Sequence, residues 1–166
     1  MSDFDAIDFN LNFNNFNPDE VQVDETINAV FIVDISPSIT SYEKDLNHAF
    51  NDFTETMQKS HVAEQLMVSI VEFHDKVKVK SGFQPIKHIP KMNFKPSGAG
   101  TALYDATAQG LKMAMDYREN LEASGVMTKT LLFIITDGMD NRSNTPVKTV
   151  KQKVEEVIAQ EQNAFS

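Results

Sequence analysis

Apolar positions along the chain fall either into short unbroken runs or into spaced sets, and the two predict different elements. Ala29-Val30-Phe31-Ile32-Val33 and Leu131-Leu132-Phe133-Ile134-Ile135 are unbroken, and Leu66 to Phe73 is broken only by Ser69 and Glu72, as in strands covered on both faces. Leu46, Phe50, Phe53 and Met57 recur at helical spacing, as do Leu103, Ala106, Gly110, Leu111 and Ala114, and later Val147, Val150, Val154, Val157 and Ile158, so three helices follow with one apolar face each. Thr40 with Glu43 predicts a capping box for the first helix, and Thr145-Pro146 a cap and first-turn proline for the last. The second helix starts near Thr101, and Lys76-Val77-Lys78-Val79-Lys80 alternates after a tight His74-Asp75 link. That alternation predicts an antiparallel hairpin partner for 66–73 on a lysine-protected sheet edge.

Strands alternating with helices give an α/β fold: an open sheet, mainly parallel with one antiparallel edge strand, and helices on both faces. In such sheets functional groups gather beyond the carboxyl ends of the strands. No internal repeat interrupts this order.

Composition changes the picture mainly at the N-terminus. The chain has 166 residues, enough to bury a core, and no cysteine, which excludes disulfides, thiolate metal sites and cysteine nucleophiles. The net charge of −9 is unevenly spread. Residues 1–25 carry seven acids and no Lys or Arg, leaving 17 acids and 15 bases beyond them. We therefore divide the chain into an acidic, Asn- and Phe-rich tail (1–25) and a nearly neutral domain (26–166) with no electrostatic footprint for nucleic acid. Within the tail, Ile7, Phe9, Leu11 and Phe13 alternate with polar residues, a possible strand that could mediate self-association through residues 5–15. With an acidic start and no long apolar run, the expected location is cytoplasmic, without membrane attachment.

Three polar clusters end or begin the predicted elements on one rim. Asp34, Ser36 and Ser38 follow the first strand, Thr101 opens a helix beside Gly98 and Gly100, and Asp137 follows the strand 131–135. Two carboxylates and three hydroxyls make a hard, all-oxygen ligand set, suited to Mg²⁺ rather than zinc or copper. If the Asp-x-Ser-x-Ser loop stays extended, residues 34, 36 and 38 point the same way. The structural alternative is that these residues cap the helices that follow.

Asp34-Ile35-Ser36-Pro37-Ser38, Gly98-Ala99-Gly100-Thr101-Ala102-Leu103 and Ile134-Ile135-Thr136-Asp137-Gly138, in this order, resemble the metal-ion-dependent adhesion site (MIDAS) of the von Willebrand factor type A (vWA) family, bacterial or intracellular type. The resemblance covers roughly residues 27–160. It implies a Rossmann-like domain binding Mg²⁺ or Mn²⁺, with Ser36, Ser38 and Thr101 as hydroxyl ligands and Asp34 and Asp137 acting directly or through water. It also implies a protein partner whose Asp or Glu fills an open metal position. Asp140 and Asn141 resemble the Asp-Gly-x-Asp-Asn ending of bacterial members and are not expected to be direct ligands. Such domains continue with further strands after the helix at 146–162, so the resemblance implies missing C-terminal strands and an apolar edge at 131–135.

The leading expectation is thus a metal-dependent protein-binding module. The alternatives are a metal-dependent phosphoryl-transfer or hydrolytic enzyme using Asp34, which lacks an evident general base and a second acid at position 36, and a structural or assembly subunit. His48, His61, His74 and His88 show no paired ligand spacing, and no nucleophile elbow or phosphate loop is present. The six lysines from 76 to 95 read as a solvated face rather than an anion site.

Overall fold

The computed structural model describes residues 25–164, with the side chains of 161–164 left undescribed. Residues 1–24 of the tail, with its alternating segment, therefore lie outside the described residues, while Glu25 opens the first strand. Seven elements follow in order: β1 (Glu25–Asp34), α1 (Glu43–Gln58), β2 (Leu66–Phe73), β3 (Val77–Pro85), α2 (Leu103–Ala123), β4 (Met127–Ile135) and α3 (Val147–Ala164). The strands form one open α/β sheet in the order β3-β2-β1-β4, in which β1 lies parallel to both β2 and β4, and β3 runs antiparallel to β2.

Burial explains which runs became central strands. Every residue of β2 is buried, and in β1 only Glu25 and Ile27 are partly exposed. Side chains alternate across the sheet, so Ala29, Phe31 and Val33 meet Leu46 and Phe50 of α1, while Val30 and Ile32 meet Ala106, Met113 and Ala114 of α2. The outer helix α3 packs Val150, Val154 and Val157 against Ala108 and Leu111 of α2. Gly110 brings α2 close to the sheet, since a Cβ there would lie 2.5 Å from Ile32 Cδ1.

Several local expectations are corrected. The Thr40–Glu43 capping box does not form: Pro37–Ser41 is a 3₁₀ turn that takes in Thr40, whose hydroxyl donates to Pro37 O at 2.7 Å, and Tyr42 occupies the N-cap of α1 without a side-chain cap. At α3, Pro146 precedes the helix, its carbonyl accepting from Thr149 N–H at 3.0 Å. Val147 and Ile158 are exposed rather than on the packed face. The run 131–135 is not a buried strand. Among the described residues β4 is an edge, with Leu131 45% and Ile134 43% exposed.

Residues 86–96 form a strap that the periodicity did not reveal. It crosses the α1 side of the sheet, with Ile86, Ile89, Met92 and Phe94 in the core. Side-chain amides of α1 act as its backbone partner. Asn47 accepts from Phe94 N–H at 2.6 Å and donates to Phe94 O at 2.9 Å, and Asn51 does the same with Met92 at 2.7 and 2.8 Å. Gln58 donates to the carbonyls of Ile86 and Ile89. The spacing of 47, 51 and 58 puts these amides on one helical face, where they satisfy strap groups that no strand reaches.

Candidate metal centre

The topology fixes where the site can be. From β1 the chain passes through α1 to β2 on one side, and later through α2 to β4 on the other. The carboxyl ends of β1 and β4 therefore open into a crevice at the switch point of the sheet. Asp34 ends β1, and Asp137 lies two residues beyond β4.

All five candidate residues converge there. Asp34 is fully buried; its Oδ1 accepts from Ser36 N–H at 2.8 Å and its Oδ2 from the Thr136 hydroxyl at 2.7 Å. Ser36 and Ser38 hydroxyls lie 3.1 Å apart, and Ser38 donates to Asp137 Oδ1 at 2.9 Å. Thr101 faces the same loop, its Oγ1 3.6 Å from where a Cβ on Gly138 would be. Asp34, Ser36 and Thr101 are buried, whereas Ser38 and Asp137 are exposed. The group is thus a buried floor with a solvent-facing rim.

Electrostatics make the site suited to a cation. Among the described residues no Lys, Arg or His pairs with Asp34 or Asp137. The donors that serve Asp34 are neutral, yet a buried carboxylate needs a counter-charge or several strong hydrogen bonds. Tyr42 records the resulting negative field. Burial, then the charges of Asp137 and Asp34, and a hydrogen bond donated to Asp137 push its phenol up to about 12.

Oxygen spacing allows a test of fit. Two neighbouring ligands of an octahedral ion at about 2.1 Å lie about 3.0 Å apart, whereas tetrahedral zinc at about 2.1 Å would separate them by about 3.4 Å. The observed 3.1 and 2.9 Å are hydrogen-bond separations, short enough for these oxygens to become neighbouring ligands of an octahedral ion with little movement. No group of three or more His, Cys, Asp or Glu exists among the described residues, so a metal here depends on the hydroxyls.

The loop after Asp137 holds residues that sequence reasoning undervalued. Asp140 Oδ2 accepts from Tyr104 N–H and Ser143 Oγ from Asp105 N–H, both at 2.9 Å, while Asn141 Oδ1 accepts from Thr101 N–H at 2.8 Å. Ala102, the N-cap of α2, makes no side-chain cap bond of its own. The first turn of α2 is thus capped from about 40 residues away. Asp105 reciprocates, accepting from the N–H groups of Asn144 and Thr145. Burial pushes Asp140 up, but hydrogen bonds from Ser143, Tyr104 and Arg142 N–H outweigh it and hold its carboxyl below the usual range. Thr136 and Tyr42 also went unread, although Thr136 stands within the quoted Thr-Asp-Gly sequence.

The Thr101 loop is held from its other side by the β2–β3 turn. Asp75 Oδ1 accepts from Ala99 N–H at 2.9 Å, and His74 O from Ala102 N–H at 2.6 Å. Gly98 has φ +74°, and a Cβ there would collide with the His74 and Asp75 side chains. Glycine is required on both counts. Of the histidines, His74 lies against Asp75 and His48 beside Asp52, while His61 and His88 are exposed. Lys80, Lys87 and Lys95 pair with Glu72, Glu64 and Glu43, as a solvated face would.

No protein-family model and no curated protein matches the sequence. Solved structures do match in fold. The pilus adhesin SpaC from Lactobacillus rhamnosus GG aligns at TM-score 0.56 and 16% identity, over 70% of this chain and 15% of that one. Proximal thread matrix protein 1 from the mussel byssus, with a zinc-occupied MIDAS motif, aligns at 0.51 and 20%, over 80% and 36%. The vWF domain of the type V pili tip protein Mfa5 from Porphyromonas gingivalis aligns at 0.47 and 20%, over 71% and 40%. The chain therefore spans well under half the length of each. Its fold is von Willebrand factor type A-like, and it shares that fold with adhesin and matrix proteins. No helix among the described residues is long and apolar enough to cross a membrane.

Proposed function

We propose, for a chain whose fold is vWA-like, a protein-binding module that recognises a partner's Asp or Glu through Mg²⁺ held by Asp34, Ser36, Ser38, Thr101 and Asp137. The observation that carries this reading is a pair of carboxylates with no cationic partner among the described residues, one of them fully buried, gathered with the Ser36 and Ser38 hydroxyls at one end of the sheet. These residues would hold a dication, which would supply positive charge beside the two carboxylates and a position for an external carboxylate. The rest of the recognition is the work of the chain itself. Asp34 and Ser36 form a rigid floor, Ser38 and Asp137 sit at the exposed rim where a partner arrives, and Tyr42 holds the Asp137 carboxylate in place. Mn²⁺ has similar oxygen chemistry and would bind in the same place. Zinc belongs to the mussel protein; an all-oxygen donor set without histidine or cysteine suits zinc less well than Mg²⁺ here.

Binding rather than catalysis is favoured because the acids nearest the site are engaged in holding its loops, Asp140 by Tyr104 N–H and Asp75 by Ala99 N–H. The test is a calorimetric titration of the full chain with Mn²⁺. One site is expected, lost in Asp34→Ala and Asp137→Ala while both variants keep the wild-type circular dichroism spectrum. An Asp-containing peptide immobilised on a sensor surface should retain the chain in Mg²⁺ and release it on chelation. Absence of metal binding, or binding that survives both substitutions, would overturn the proposal.

A further inference from the structure

We infer that Asn141 is a positioning residue of this centre, acting through the backbone of Thr101. The inference rests on the metal-binding reading above and deepens it. Asn141 takes both backbone hydrogen bonds that Thr101 can offer: its side-chain Oδ1 accepts from Thr101 N–H at 2.8 Å, and its own N–H donates to Thr101 O at 3.0 Å. One residue thereby mimics a paired strand and locks the Thr101 loop to the loop that carries Asp137, four positions earlier in the sequence.

Three further features show that the approach is built rather than incidental. Gly100 leaves no room for a side chain, since a Cβ there would lie 2.5 Å from Arg142 Cγ and 2.9 Å from Asn141 Oδ1. On the next residues, Asp140 and Ser143 bind the N–H groups of Tyr104 and Asp105, so the clamp is the first rung of a ladder running along the opening turn of α2. Among the described residues, the hydrogen bonds that reach Thr101 itself from the Asp137 loop are those of Asn141. A metal centre shared between two loops depends on their separation, and groups that orient the ligands without touching the metal typically change affinity by about 10–100-fold when removed.

Substitution separates this role from a purely structural one. Asn141 is exposed, so Asn141→Ala should fold, and Asn141→Asp keeps the acceptor that Thr101 N–H needs. Mn²⁺ affinity of the full chain, measured by electron paramagnetic resonance, is expected to fall at least about tenfold in Asn141→Ala and to stay within about threefold of wild type in Asn141→Asp. A double-mutant cycle supplies the second arm: in a Thr101→Ala background, Asn141→Ala should add little, because its effect passes through Thr101. Wild-type affinity in Asn141→Ala, an equal loss in Asn141→Asp, or full additivity with Thr101→Ala overturns the clamp while the metal reading stands. A wild-type chain that binds no Mn²⁺ overturns both.

Discussion

Tyr42 connects the residue scale to the charge of the whole site. Its phenol stands between the hydrophobic cluster under α1 and the Asp137 carboxylate, so burial and negative charge push it in the same direction. A raised value means that the protonated donor contributes stability fully below 10.0, the phenol's ordinary value, and loses it as pH rises through about 12. At neutral pH Tyr42 is therefore a constant donor to Asp137 rather than a switch. Asp137→Asn removes the charge and weakens the bond but leaves the burial. Ultraviolet titration of the three tyrosines, with Tyr42→Phe to assign the phase, should show the Tyr42 midpoint falling from about 12 while remaining above 10.0. An unmoved midpoint would mean that Asp137 and Tyr42 do not meet in solution.

At the scale of elements, what was legible and what was not follows from distance along the chain. β1 and β2 were readable because central strands are apolar on both faces, and Asp34, Ser36 and Ser38 because they follow the end of a strand directly. The Thr40–Glu43 capping box failed because Pro37 starts a 3₁₀ turn, which places Thr40 inside the turn and leaves Tyr42 at the helix start. The caps of α2 were invisible for the opposite reason: a local pattern holds no trace of Asp140, Asn141 and Ser143 reaching it from the far loop. The strap at 86–96 was equally hidden, since Asn47 and Asn51 look like ordinary solvated helix positions until their partners are seen. Each of these amides makes two hydrogen bonds to the strap backbone, worth about 0.5–1.5 kcal/mol apiece net. Asn51→Ala is accordingly expected to destabilise the domain by about 1–3 kcal/mol in urea unfolding, leaving the nearly buried Met92 backbone without its partners. A change below about 0.5 kcal/mol would show that water replaces the amide without loss.

Among the described residues the sheet has two dissimilar edges, and they offer different surfaces to other chains. β3 presents Lys78 and Lys80 on exposed positions and partly shields its edge by charge. β4 has no such device along 131–135: Leu131 and Ile134 are exposed on opposite faces, and Phe133 is only partly covered by stacking on Phe31 at 4.8 Å. An apolar edge strand with free backbone groups is a template for pairing. Leu131→Lys puts on β4 the protection that β3 already has. At equal concentration the variant is expected to scatter less light than wild type, with an unchanged circular dichroism spectrum. The substitution also brings the net charge from −9 closer to neutrality, which by itself favours association. Reduced scattering would therefore come from the edge and not from overall repulsion. Gln152→Lys on the exposed side of α3 carries the same charge change without touching β4, and it should scatter at least as much as wild type. Equal behaviour of the two variants would show that β4 is not where copies of the chain meet.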